Sequence, residues 1–216
     1  MVVISKNVQK KVQNRVDIPV ALAMRYGSMT IQKGLQELKD KGVTEVLLLP
    51  MYPQYAMAST KTIIVLAEEL RKKYFPEMKI TFINSFYNKK DYIQNLADSI
   101  RKHLEGFEYD HLLFSYHGIP ERHIRKTDVT KSHCKMNDTC CVTASPAHEF
   151  CYRLQCHETT RQVVELLGIT KDKYSQTYQS RLAGDKWLDP YTDIEINNMP
   201  KKGIKNLAVV TPASVS

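Results

Sequence analysis

Strand-like runs, most of them apolar and β-branched, recur along this chain with amphipathic stretches between them, and that alternation restricts the architecture more than any other feature. The runs fall near residues 20–26, 45–51, 79–84, 111–116, 174–179 and 206–211, and stretches of helical spacing near 6–16, 30–41, 59–73, 90–105 and 158–167. Such repetition with short links predicts βα units, whose strands lie parallel because each crossover returns the chain to the same end of the sheet. The expected fold class is α/β, with doubly wound parallel sheets and helices on both faces. Within the stretch 30–41, Ile31, Leu35 and Leu38 share one face and Gly42 follows as a stop signal.

A chain of 216 residues can bury a core of ordinary density in one or two domains. Its 43% hydrophobic and 25% charged residues exclude a disordered polymer. No apolar stretch approaches the roughly 20 residues that span a bilayer, and the opening residues carry no basic region followed by an apolar core, so the expected location is cytoplasmic. The net charge of +8 would suit an anionic partner. Lys6, Lys10 and Lys11, like Lys201, Lys202 and Lys205, are scattered among polar residues without interleaved aromatics, the pattern of solvated helix faces. Nucleic-acid binding is therefore not expected, while a peripheral contact with a lipid surface stays open.

Two segments carry chemistry. Leu112-Leu113-Phe114-Ser115-Tyr116 is an apolar run that delivers His117 to its tip, followed by Gly118-Ile119-Pro120. Open α/β sheets bind ligands at the carboxyl ends of their strands, so His117 is placed at a ligand crevice and Gly118 allows close approach of backbone. A histidine satisfied by loop backbone is the alternative. The second segment holds Cys134, Cys140, Cys141, Cys151 and Cys156. Without a secretory signal these argue against a disulfide framework, and the spacing is not that of paired Cys-x-x-Cys knuckles, so zinc is not specifically signalled. Four thiolates could hold one site with one to spare; zinc and free thiols remain open.

Several pieces together carry a resemblance: Pro50-Met51-Tyr52-Pro53-Gln54-Tyr55, Ser115-Tyr116-His117-Gly118-Ile119-Pro120, Tyr152-Arg153-Leu154-Gln155-Cys156, Gln179-Ser180-Arg181, Trp187-Leu188-Asp189-Pro190 and Val209-Val210-Thr211-Pro212. In order and spacing the chain resembles the ferrochelatase family, lyases that insert ferrous iron into protoporphyrin to form haem. The resemblance implies two similar lobes, of which the first is incomplete here. Residues 1–76 would be the carboxyl side of that lobe, 77–205 the second lobe with a cysteine-rich insertion at 127–156, and 206–216 a strand returning toward the first. A break at Pro76 follows. The family also has an amino-terminal part that would precede Met1 and a glutamate segment that would follow Ser216, so the chain is expected to be the middle of a ferrochelatase. Ser214 departs from the bulky aromatic usual at that position.

The resemblance implies that His117 is the catalytic residue, a ligand for the incoming ferrous iron or a base for the pyrrole protons, since a neutral imidazole suits either. It places Tyr52, Gln54 and Tyr55 beside the porphyrin, where an aromatic ring can pack on the macrocycle, and Trp187 nearby. A surface turn and a core anchor are the respective alternatives. Arg25 would meet a porphyrin propionate or form a structural ion pair. Some members carry a two-iron, two-sulfur cluster, for which Cys134, Cys141, Cys151 and Cys156 are the implied ligands, with Cys140 as an alternative. His133, His148 and His157 are then unnecessary as ligands. His123 is expected at the surface, His103 on a helix face and His111 at a strand start. A chelatase for another tetrapyrrole and metal, and a non-catalytic metal-binding module, remain as rivals.

Overall fold

The computed structural model describes residues 2–212, and its strands pair in parallel throughout. Contacts divide the chain into a first unit that ends at Met51 and resumes over Ala58–Asn84, and a second made of Tyr52–Met57 and the chain from Ser85 on. Ser214 lies outside the described residues, as does the end of the expected return segment.

The first unit contains α1 (Val2–Gln13), α2 (Ile31–Asp40), β1 (Glu45–Leu48), α3 (Thr62–Tyr74) and β2 (Lys79–Phe82). Thr30 begins α2 because its hydroxyl accepts the Lys33 N–H, 3.3 Å away, leaving one fewer orphan donor at the helix start. β1 and β2 run in register from Glu45 against Lys79 to Leu48 against Phe82. Ile31, Leu35, Ala67, Phe75 and Met78 form the core beneath them. The expected break at Pro76 falls inside this unit, because β2 follows that proline and pairs with β1.

One predicted strand does not form. Residues 20–26 are extended but make only an isolated bridge, Met24 with Thr30. The physical reason is that Val20 has its backbone taken by side chains: its N–H donates to Gln13 Oε1 and its carbonyl accepts from Gln9 Nε2, both at 2.8 Å. Those bonds satisfy the peptide without a neighbouring strand.

The second unit contains α4 (Lys90–Leu104), β3 (His111–His117), α5 (Glu121–Thr127), α6 (Tyr152–Leu167), β4 (Tyr174–Gln179), α7 (Thr192–Asn198) and β5 (Leu207–Val210). Its sheet has the order β4-β3-β5. As the central strand, β3 is buried from His111 to Tyr116, which explains its continuous apolar run. Asp110 aligns the two strands beside it: its carboxylate accepts the N–H groups of Lys205 and Asn206 at 2.8 Å, and its own N–H donates to the Asn206 carbonyl. α4 packs on α6, and Gly168 closes α6 in the left-handed conformation that glycine adopts without strain. The helices α5 and α7 were not predicted; each is seven residues long, too short for a periodic pattern to stand out. Among the described residues no helix is long and apolar enough to cross a membrane.

Candidate active site

His117 stands at the carboxyl end of β3, in register with Gln179 at the end of β4. Tyr116, one residue earlier, is fully buried, whereas His117 is exposed. The sheet ends at this residue, so the imidazole is presented to solvent and not walled in by packed side chains.

The loop after His117 is held by a second loop. Gly118 donates its N–H to the Gln179 carbonyl at 2.8 Å, Glu121 N–H to the Lys186 carbonyl at 2.8 Å, and Leu188 N–H to the Ile119 carbonyl at 3.0 Å. A Cβ on Gly118 would lie 2.8 Å from the Gln179 oxygen and 3.4 Å from Trp187 Cε3. Only glycine lets the strand end and the indole approach this closely. Trp187, half-buried, bridges to Pro120, and its Nε1 is shielded from solvent without a protein acceptor among the described residues. Charge fastens the same two loops: the buried Glu121 carboxylate pairs with Arg125 at 2.6 Å and Lys186 at 2.9 Å, and Arg122 pairs with Asp185. Glu121 and the hydroxyl of Tyr152, which donates to the His117 carbonyl at 2.8 Å, went unrecognised as parts of this arrangement. The only sequence signal for Tyr152 is its place in the Tyr152–Cys156 motif, and Glu121 has none beyond following Pro120.

The other predicted residues divide. Tyr52 is 40% exposed. Gln54 and Tyr55 are buried within the second unit: Gln54 Nε2 donates to Thr159 Oγ1 at 3.0 Å, the Tyr55 N–H donates to Gln155 Oε1 at 2.7 Å, and the Tyr55 ring meets Phe150 edge-on. Their visible work is to fasten Tyr52–Met57 to α6. Arg25 belongs to the first unit, lies over the Tyr26 ring at 4.9 Å and makes no ion pair among the described residues; its Nε is buried without a partner. Arg181 pairs with Asp193 at 2.9 Å and stacks on Tyr191, while Ser180 takes a positive φ of 68° where β4 ends. His123, expected at the surface, is half-buried, and burial lowers its pKa. His157 is pulled down to about 4, chiefly by burial. His111 starts β3 as expected, its ring 2.9 Å from the Ser175 hydroxyl. A groove of about 620 Å³ between α4 and β5, lined by residues such as Tyr92, Leu96, Phe107 and Val209, includes none of the predicted site residues.

The cysteine segment is ordered by Asp128, whose carboxylate accepts from Thr130 N–H (2.9 Å), Thr130 Oγ1 (2.7 Å), His133 N–H (2.8 Å) and Cys134 N–H (2.9 Å). Burial opposes its ionisation, but these hydrogen bonds outweigh burial and hold the carboxyl well below the usual range. Cys134 is thereby set against Cys151, Cys151 against Cys141, and Cys141 against Cys140. The hydrogen bond from Cys151 lowers the Cys134 pKa, and the same bond pushes Cys151 up to about 12. Arg153 Nη1 lies 3.5 Å from Cys140 Sγ. The imidazoles of His133 and His148 both meet the Cys140 carbonyl, at 2.6 and 2.9 Å. Cys156, fully buried within α6, contacts Tyr152 instead, so the four thiols in mutual contact include Cys140 in place of Cys156. Among the described residues no group of three or more His, Cys, Asp or Glu side chains has the arrangement of a metal site.

Comparison with known proteins gives the family. Residues 2–216 match the family model described as ferrochelatase. A ferrochelatase of Opitutus terrae is 40% identical over 218 residues, covering the whole chain and 63% of that protein. Those of Stutzerimonas stutzeri and Pseudomonas syringae pv. syringae are 39% and 40% identical over 219 residues, covering 64% of each. The chain thus spans less than two thirds of the length of these curated relatives. With the family model matched from residue 2 to 216 and relatives at 40% identity, the chain belongs to the ferrochelatase family.

Proposed function

We propose that the protein to which this chain belongs is a ferrochelatase, a lyase of haem biosynthesis that takes ferrous iron and protoporphyrin as substrates. The observation that carries this reading is the exposed imidazole of His117 at the end of the buried central strand β3. Ferrous iron enters the macrocycle as two pyrrole N–H protons leave, so charge balances across the exchange. His117 holds the ion at its unprotonated ring nitrogen or receives a departing proton. Trp187, locked behind Gly118, and the exposed Tyr52 supply apolar surface for the ring, with Gln54 and Tyr55 supporting Tyr52 from behind. Bending of the macrocycle exposes its nitrogen lone pairs, and a rigid loop pair such as 118–121 with 186–188 is suited to bear that distortion.

Several finer features belong to the same reading. The fold is taken as doubly wound, with two similar lobes, and the location as cytoplasmic with peripheral contact to a lipid surface. A two-iron, two-sulfur cluster is part of the same reading, with Cys134, Cys141, Cys151 and Cys156 as its ligands and Cys140 as the alternative, although no group of such side chains has the arrangement of a metal site among the described residues. Such a cluster would supply one-electron chemistry when bound, while the chain's own residues orient the segment.

In a version of the protein extended to the length of its relatives, His117→Ala should reduce iron insertion at least about hundredfold, as loss of a general base or ligand does, while protoporphyrin fluorescence is still quenched on binding. Unaltered haem formation would remove His117 from the reaction. Insertion of cobalt or nickel but not iron would point to another chelatase. For the cluster, anaerobic purification should yield iron and acid-labile sulfide in equal amounts; negligible sulfide would exclude it.

A further inference from the structure

We propose that Tyr152 is a positioning residue that fixes the His117–Gly118 peptide and ties it to the cysteine segment; the proposal rests on the reading of His117 above. Among the described residues the His117 ring makes no hydrogen bond, so its aim is set by its backbone. The β3–β4 ladder ends at the His117–Gln179 pair. Past that pair two bonds hold the tip: the Gly118 N–H on the Gln179 carbonyl, and the Tyr152 hydroxyl on the His117 carbonyl, each 2.8 Å. The second is the one supplied from outside the sheet.

The other end of this connection is the thiol group. Tyr152 is the first residue of α6, and Cys151 is the cap before it, its Sγ accepting the Leu154 N–H at 3.5 Å. Cys151 also contacts Cys134 and Cys141. Whatever occupies or modifies those thiols therefore acts on the cap of α6 and, one residue later, on the only side chain that grips the His117 carbonyl among the described residues. Tyr152 is 5% exposed, and its hydroxyl donates to the His117 carbonyl at 2.8 Å.

The test reads amides in this chain without porphyrin or iron, so its result is independent of whether His117 handles metal. In Tyr152→Phe, exchange of the Gly118 amide should accelerate about tenfold, the loss of one hydrogen bond, with a displaced His117 carbonyl carbon resonance, while the Leu113 amide within β3 is unchanged. Unchanged Gly118 exchange would overturn the proposal. Equal acceleration at Leu113 would also overturn it, since Tyr152 would then act on global stability alone. One equivalent of cadmium ion, a thiol-seeking probe followed by its ultraviolet charge-transfer band, should slow Gly118 exchange in a His117→Ala background, where the imidazole cannot contribute. It should not do so when Tyr152→Phe is added. The same slowing in both would refute the connection to the cysteines.

Discussion

At the scale of single residues, the site depends on close approach more than on charge. Gly118→Ala would drive a Cβ into the Gln179 carbonyl 2.8 Å away, with backbone on one side and the Trp187 indole on the other, so neither neighbour can yield cheaply. A loss of about 1–3 kcal/mol is expected from such overpacking, read as a lower urea midpoint; a midpoint equal to wild type would mean the two loops part easily. His111 gives a pH dependence. Burial, and then Lys202, lower its folded-state pKa beneath the ordinary value, so the unfolded chain takes up a proton first as pH falls. Stability from this group is complete above about pH 7 and declines as pH drops through the usual histidine value of about 6.5 toward the lower folded one. His111→Gln should flatten that slope in denaturant titrations between neutral and mildly acidic pH, and an unchanged slope would assign the dependence to other groups. His117 itself was legible at this scale because a polar residue closing an apolar run has few places to go. Tyr152 was not, since its partner lies 35 residues away in sequence.

At the scale of elements, α6 does two jobs with neighbouring side chains of its first turn. Tyr152 reaches the tip of β3, while Gln155, fully buried, accepts the Tyr55 N–H at 2.7 Å and donates to the Glu149 carbonyl at 2.8 Å. Gln155→Leu keeps the bulk but orphans a buried N–H and a carbonyl, a cost of about 1–3 kcal/mol. Its expected local signature is faster exchange of the Tyr55 amide; protection equal to wild type would show that α6 does not fasten Tyr52–Met57. The strands β3 and β4 lie where the sequence reading puts them, at 111–117 and 174–179. The helix predicted at 158–167 begins earlier, at Tyr152, because Cys151 supplies a cap that a helix-propensity reading does not anticipate. The segment 20–26 had a strand's composition but lost its ladder to two glutamines of the preceding helix.

At the scale of the whole molecule, the excess of positive charge makes a prediction about substrate capture. A porphyrin with two propionates should be drawn by the field of a chain carrying +8, and raising salt about tenfold from low ionic strength should weaken protoporphyrin quenching several-fold. An affinity independent of salt would mean that apolar contact alone holds the ring. The division into two units, each with its own buried cluster, depends on contacts that no local pattern encodes, which is why the second unit takes in Tyr52–Met57 from the middle of the first. By itself the sequence determined the parallel α/β class, the central strand and the histidine at its tip, since each follows from periodicity and from the side chains of a few consecutive residues. Tertiary structure alone decided which four thiols meet, that Gln54 and Tyr55 turn inward, and that a tyrosine hydroxyl holds the His117 carbonyl. Those outcomes require partners distant in sequence, and a hydrogen bond between distant residues exists only once the chain has brought both ends within about 3 Å.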